Sequence, residues 1–168
     1  MHVIAIFYLR IDVRRNFTYN FFGVGENKYQ NKFKLFYYNA LNSQFMKRSK
    51  ILVVDDSETN LVLLEAILED DGFDVSIAYN VKEAETQLQK DIPNLILLDL
   101  LMPNENGFSL LQKLKSNEIM RDIPVIIVTA FANSENNIKA KHLGAADIIE
   151  KPINIPDFIT KVHKALNQ

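Results

Sequence analysis

From residue 50 onward, short apolar runs alternate with stretches whose apolar positions recur every three or four residues. That is the pattern of buried parallel strands joined by amphipathic helices. The runs predict strands over 51–54, 74–78, 95–98, 125–128 and 147–149. The first helix is predicted to start from Ser57 as its N-cap, to carry Leu61, Leu64, Ile67 and Leu68 on one face, and to stop at Gly72. Further helices are expected over 81–89, around Phe108, Leu111 and Leu114, over 134–143 before Gly144, and over 157–166 after Pro156. Right-handed crossovers between such units give an α/β fold, a doubly wound five-stranded parallel sheet of order 2-1-3-4-5 with five helices. Ligands of such sheets sit beyond the carboxyl ends of the strands, near the point where the strand order reverses.

Residues 1–45 read differently. They hold six basic residues (Arg10, Arg14, Arg15, Lys28, Lys32, Lys34) against Asp12 and Glu26, out of totals of 19 and 21, which leaves 13 basic and 19 acidic residues in the remainder. Most of the aromatic residues also fall here, and no helical or alternating period is sustained between residues 10 and 45. The segment is expected to be residues upstream of the true start at Met46, a flexible partner-docking arm, or an ordered extension of the fold. Its apolar run from residue 3 to 9 is too short to span a bilayer and has no preceding positive region, so neither a membrane anchor nor a signal peptide is expected. The domain itself is expected over 46–168.

Overall composition narrows the class. With 48% hydrophobic and 24% charged residues the chain reads as a folded soluble protein. The lack of cysteine removes disulfides and thiolate metal ligands, which suits a cytoplasmic location. A net charge of -2 without a concentrated basic face argues against direct nucleic-acid binding.

Directly after the predicted strands stand Asp55 and Asp56, Asp99, Thr129, and Lys151 followed by Pro152. Taken singly, each has a plain structural use: a carboxylate as a helix cap, a threonine in a turn, a lysine in solvent. Together at one sheet edge they do not, because three converging carboxylates repel unless a hard divalent cation holds them. Magnesium, with its preference for oxygen ligands and retained water, fits best. Cation, lysine and hydroxyl make a phosphoryl-handling set, in which a carboxylate is the natural nucleophile. Asp99, on the central strand, is the best acceptor.

The strings Ile51-Leu-Val-Val-Asp55-Asp56-Ser57, Leu97-Leu-Asp99-Leu-Leu-Met-Pro103 with Gly107, Val128-Thr129-Ala130 and Glu150-Lys151-Pro152 resemble the response-regulator receiver family of two-component systems, over about residues 48–168. The resemblance implies the flavodoxin-like fold and a phosphorelay switch that is not an enzyme beyond its own phosphorylation and slow dephosphorylation. It also implies that Asp56 ligates magnesium directly, Asp55 through water, and Leu101 through its backbone carbonyl, with Asp99 both ligand and phosphoacceptor. Thr129 would bond the phosphoryl group, Lys151 would pair with one of its oxygens, and Pro152 would follow a cis peptide. Partners would be a sensor histidine kinase or histidine phosphotransfer protein and a downstream protein target. The latter is expected on a face built from the fourth helix, fifth strand and fifth helix, including Lys139, His142 and Phe158.

Two features are particular to this chain. Ile148 stands where the family carries Tyr or Phe, so the usual aromatic rotation cannot operate unaltered, and backbone shifts around Thr129 are expected to carry the output. Bulky Leu101 and Phe131 flank the acceptor and are expected to slow hydrolysis by hindering water. A haloacid-dehalogenase-type phosphatase is disfavoured, because its nucleophile motif is Asp-x-Asp and this chain has adjacent Asp55 and Asp56 with a separate Asp99. Only about two residues follow the last predicted helix, so a stand-alone regulator with no output domain downstream is expected.

Overall fold

Because successive side chains of a strand point to opposite faces, the apolar strands of this chain supply two cores at once. The computed structural model describes residues 48–103 and 105–167, within a compact unit Arg48–Gln168. The expectations for residues 1–45 fall outside the described residues.

The elements run β1 (Lys50–Val54), α1 (Glu58–Asp70), β2 (Asp74–Ala78), α2 (Val81–Lys90), β3 (Leu95–Leu98), α3 (Gly107–Ser116), β4 (Val125–Thr129), α4 (Ser134–His142), β5 (Asp147–Glu150) and α5 (Ile155–Leu166). The strands form one parallel sheet of order β2-β1-β3-β4-β5, the predicted order. Ile51, Val53, Leu95 and Leu97 face α1 and α5, packing with Leu61, Leu64, Leu68, Phe158 and Val162. Leu52, Val54, Ile96 and Leu98 face the other way, against Ala84 and Leu88 of α2, Leu110, Leu111 and Leu114 of α3 and Ala140 of α4. Each fully buried Leu or Ile contributes roughly 1.5–3 kcal/mol to burial. β1, β3 and β4 are buried at nearly every position, whereas the edge strand β2 alternates exposed and half-buried residues.

Helix ends follow local chemistry. The Ser57 side chain accepts from Asn60 N and caps α1, while Gly72, at φ +91°, takes the left-handed turn after it. Asn80, Asn106, Asn133 and Asn154 cap the other four helices in the same way. α5 starts at Ile155, two residues earlier than predicted, because Asn154 is its cap and Pro156 fits within the first turn. A two-residue antiparallel ladder, Leu101–Met102 with Glu105–Asn106, was not predicted.

One expected surface residue is not on the surface. Phe158 is 0% exposed and lies in the core shared with α1. Phe158, Val162 and Ala165 recur at helical spacing, so they share the buried face of α5. Lys139 and His142 of α4 are exposed.

Candidate phosphoryl-accepting site

The register of the sheet assembles the site. Val54 pairs with Leu98, which sets the residues after β1 and β3 side by side, and Asp99 N donates to Val54 O at 2.9 Å. These two strands flank the reversal of strand order, because the chain winds outward from β1 to β2 in one direction and from β3 to β5 in the other. On the β4 side, Thr129 pairs with Glu150 and its carbonyl accepts from Lys151 N at 3.0 Å.

The side chains meet at this edge. Asp55 is 1% exposed, Asp99 7% and Thr129 0%, while Asp56 is open to solvent. Each of the three acids offers an oxygen within 4.8 Å of the others. Lys151 Nζ reaches Asp55 Oδ2 at 2.6 Å and Asp99 Oδ2 at 2.9 Å, so one ammonium bridges both buried carboxylates. Burial pulls the Lys151 pKa down, but the hydrogen bonds it donates to Asp55 and Asp99, with the negative charge of both, outweigh burial and the net shift is upward. Thr129 Oγ accepts from Phe131 N at 3.2 Å, which leaves the hydroxyl hydrogen available to another acceptor. The Lys151–Pro152 peptide is cis.

The donor set suits magnesium. All the converging ligands are carboxylate oxygens, and an octahedral cation with bonds of about 2.1 Å spans ligand oxygens up to about 4.2 Å apart, so the cluster needs little closing.

The remaining predicted residues lie around this cluster. Leu101 and Phe131, 54% and 51% exposed, line one groove of about 320 Å³ together with Leu100 and Phe108. Lys139 Nζ stands 4.3 Å from the centre of the Phe108 ring at the same groove, a cation–π contact linking α4 to α3. Ile148 is half-buried on β5 and packs against the α2–α3–α4 core. A second groove, of about 410 Å³, runs between α4, β5 and α5 past Ile148, Lys141 and Lys161.

Two features went unread in the sequence. Asn60 donates from Nδ2 to both oxygens of Asp55 at 3.1 Å. Its place three residues after a capping serine, on the first turn of a helix leaving the site, was the available signal. The need for glycine at 107 is likewise not visible in the string Leu97–Pro103 that precedes it. A Cβ there would lie 2.2 Å from Asp99 O and 2.9 Å from Leu100 Cα, so the start of α3 needs glycine to approach the Asp99–Leu100 backbone.

A doubly wound sheet carrying an acid cluster, a bridging lysine and a buried threonine at its switch point defines a class of phosphate-handling signalling domain. The chain belongs to the response regulator receiver domain family, whose sequence model matches residues 51–163. It is 41% identical over 106 residues to the response regulator PleD of Caulobacter vibrioides, covering 63% of this chain and 23% of that protein. It is 33% identical over 116 residues to the polar-differentiation response regulator DivK of Brucella anthropi, covering 69% and 94%. Among solved structures, a CheY-like receiver domain protein from Methanospirillum hungatei matches with a TM-score of 0.68 at 31% identity, over 72% of this chain and 95% of that one. The chain therefore spans about a quarter of the PleD length and nearly all of DivK. Receiver domains are signalling modules of two-component systems, in general non-enzymatic and phosphorylated on an aspartate, that bind magnesium at an acid cluster and interact with histidine kinases or phosphotransfer proteins and with downstream targets. Among the described residues, no helix is long and apolar enough to cross a membrane.

Proposed function

We propose that this protein is a single-domain, cytoplasmic response regulator in which Asp99 accepts a phosphoryl group from a phosphohistidine of a sensor kinase or phosphotransfer protein. An Asp99 oxygen attacks phosphorus, the N–P bond breaks, and the imidazole leaves with the electron pair. The observation that carries this reading is Lys151 bridging buried Asp55 and Asp99 at the switch point of the sheet. That ammonium already stands beside the acceptor, where it would neutralise a phosphoryl oxygen. The Thr129 hydroxyl, its oxygen held by Phe131 N, would donate to a second oxygen.

Asp56, Asp99 and the Leu101 carbonyl would hold magnesium directly and Asp55 through water; when bound, the cation supplies positive charge to the oxygens of the transferring group. Leu101 and Phe131 would keep hydrolytic water from aligning, so self-dephosphorylation is slow and the phosphorylated state long-lived. With Ile148 in place of an aromatic, output would pass through the backbone around Thr129 and through α4, whose only fully buried residue is Ala140. The α4–β5–α5 face, with exposed Lys141, would bind the downstream protein; Lys139 instead turns toward α3, over Phe108. No direct nucleic-acid contact is part of this reading.

The test is labelling by acetyl phosphate, followed by intact mass. The parent protein should gain one phosphoryl group in magnesium and none in EDTA, and Asp99→Asn should gain none. Equal labelling of Asp99→Asn and parent refutes the acceptor.

A further inference from the structure

Asp55 is the most heavily bonded acid of the cluster. Its Oδ1 accepts from Ser57 N at 2.9 Å and from Asn60 Nδ2 at 3.1 Å, and its Oδ2 accepts from the same amide at 3.1 Å and from Lys151 Nζ at 2.6 Å. An ionised carboxylate has about four acceptor sites, so these three donor groups take up most of its capacity. Asp99 has one donor on each oxygen, Leu101 N at 3.2 Å and Lys151 Nζ at 2.9 Å.

The donors to Asp55 differ in permanence. Lys151 is shared with Asp99 and, on the proposed function, turns to a phosphoryl oxygen when the acceptor is charged. Ser57 N belongs to the backbone and touches only one oxygen. Asn60 is half-buried and contacts both oxygens from the first turn of α1, a helix fixed by Leu61, Leu64 and Leu68 in the core. Its amide is neutral, so it neither competes with a cation for the acids nor leaves when Lys151 moves.

We infer that Asn60 is a positioning residue for phosphoryl acceptance. It holds the Asp55 carboxylate in one orientation, which keeps Lys151 beside Asp99 before transfer and keeps Asp55 aimed at the cation's water shell throughout. This role rests on the proposed function. Its action is through Asp55, and no contact with the phosphoryl group is required. Partners that orient the groups around a metal commonly change affinity or activity by about 10–100-fold when removed.

Three variants test it: Asn60→Ala, Asn60→Leu, which keeps the bulk without a donor, and Asn60→His, which keeps a ring N–H at similar reach. Magnesium affinity is measured by NMR titration, and labelling by acetyl phosphate is timed at saturating magnesium, with each variant held below its own melting midpoint. Asn60→Ala and Asn60→Leu should bind magnesium about tenfold more weakly and label about tenfold more slowly, with Asn60→His within about threefold of the parent on both. Loss of helix stability alone would not separate leucine from histidine in this way. Values for Ala and Leu within twofold of the parent on either readout, or a histidine variant as impaired as alanine, overturn the role. A parent that takes no label overturns the acceptor reading and this role with it; a labelled parent matched by Asn60→Ala overturns the role alone.

Discussion

Gly107→Ala adds one methyl group where the start of α3 runs against the backbone that follows β3. The new Cβ would lie 2.2 Å from Asp99 O, 2.9 Å from Leu100 Cα and 3.1 Å from Asp99 C, all backbone atoms without a rotamer to change. Real Cβ atoms essentially never come within 3.0 Å of such neighbours, so the interface must open by at least 0.8 Å, the difference between 2.2 and 3.0 Å. Opening it pulls Leu110, Leu111 and Leu114 away from the sheet and strains the Gly107 N to Leu100 O bond of 3.2 Å. Overpacking of this kind costs about 1–3 kcal/mol, and the gain of up to about 1 kcal/mol from replacing a helical glycine is too small to offset it. With backbone as close as 2.2 Å the cost lies at the upper end of that range, so a net loss of about 2 kcal/mol is expected, read as a lower urea midpoint at unchanged m value. Because the displaced atoms belong to Asp99 and Leu100, labelling by acetyl phosphate should slow at temperatures where the variant is fully folded. A variant as stable as the parent within about 0.5 kcal/mol, labelling at the same rate, would refute the close-approach argument.

Further outcomes are expected elsewhere. Lys151→Met leaves buried Asp55 and Asp99 without their shared cation, and should lose about 3–5 kcal/mol in EDTA, with the deficit narrowing in millimolar magnesium; calorimetry showing equal deficits in both would contradict this. Since the Lys151 pKa lies above 10.5 in the folded protein, its contribution is complete below that pH and is lost only as pH climbs through the raised value, so the parent–variant difference should hold steady between about pH 7 and 9. Phe158→Ala should cost about 3–5 kcal/mol by denaturant titration, whereas a surface residue would cost under about 0.5 kcal/mol. Leu101→Asn with Phe131→Glu should hasten loss of the phosphoryl group several-fold, measured by decay of labelled protein; unchanged decay would remove both residues from control of lifetime.

Residues 51–54 and 95–98 could be placed in buried strands from sequence because both faces of a central parallel strand are covered, which leaves an unbroken apolar run. Ser57, Gly72 and Pro156 marked helix ends by the backbone groups they satisfy or lack. The residues that gather at the sheet edge were readable because each closes a strand or lies within two residues of its end, and strand order then decides which of them meet. Asn60 was not, since its contact with Asp55 depends on the angle at which α1 leaves β1, a tertiary quantity. The Leu101–Met102 ladder is too short to carry a period. Phe158 was misplaced because it was assigned to a surface by family likeness, although its spacing from Val162 and Ala165 already put it on the buried face.

The most direct measurement is chemical mapping of the modified residue. Protein labelled by acetyl phosphate in magnesium is reduced with borohydride, which converts an aspartyl phosphate to homoserine, and the peptides are sequenced by tandem mass spectrometry. The account predicts homoserine at position 99 and aspartate retained at 55 and 56. Homoserine at 55 or 56, with aspartate intact at 99, would contradict it.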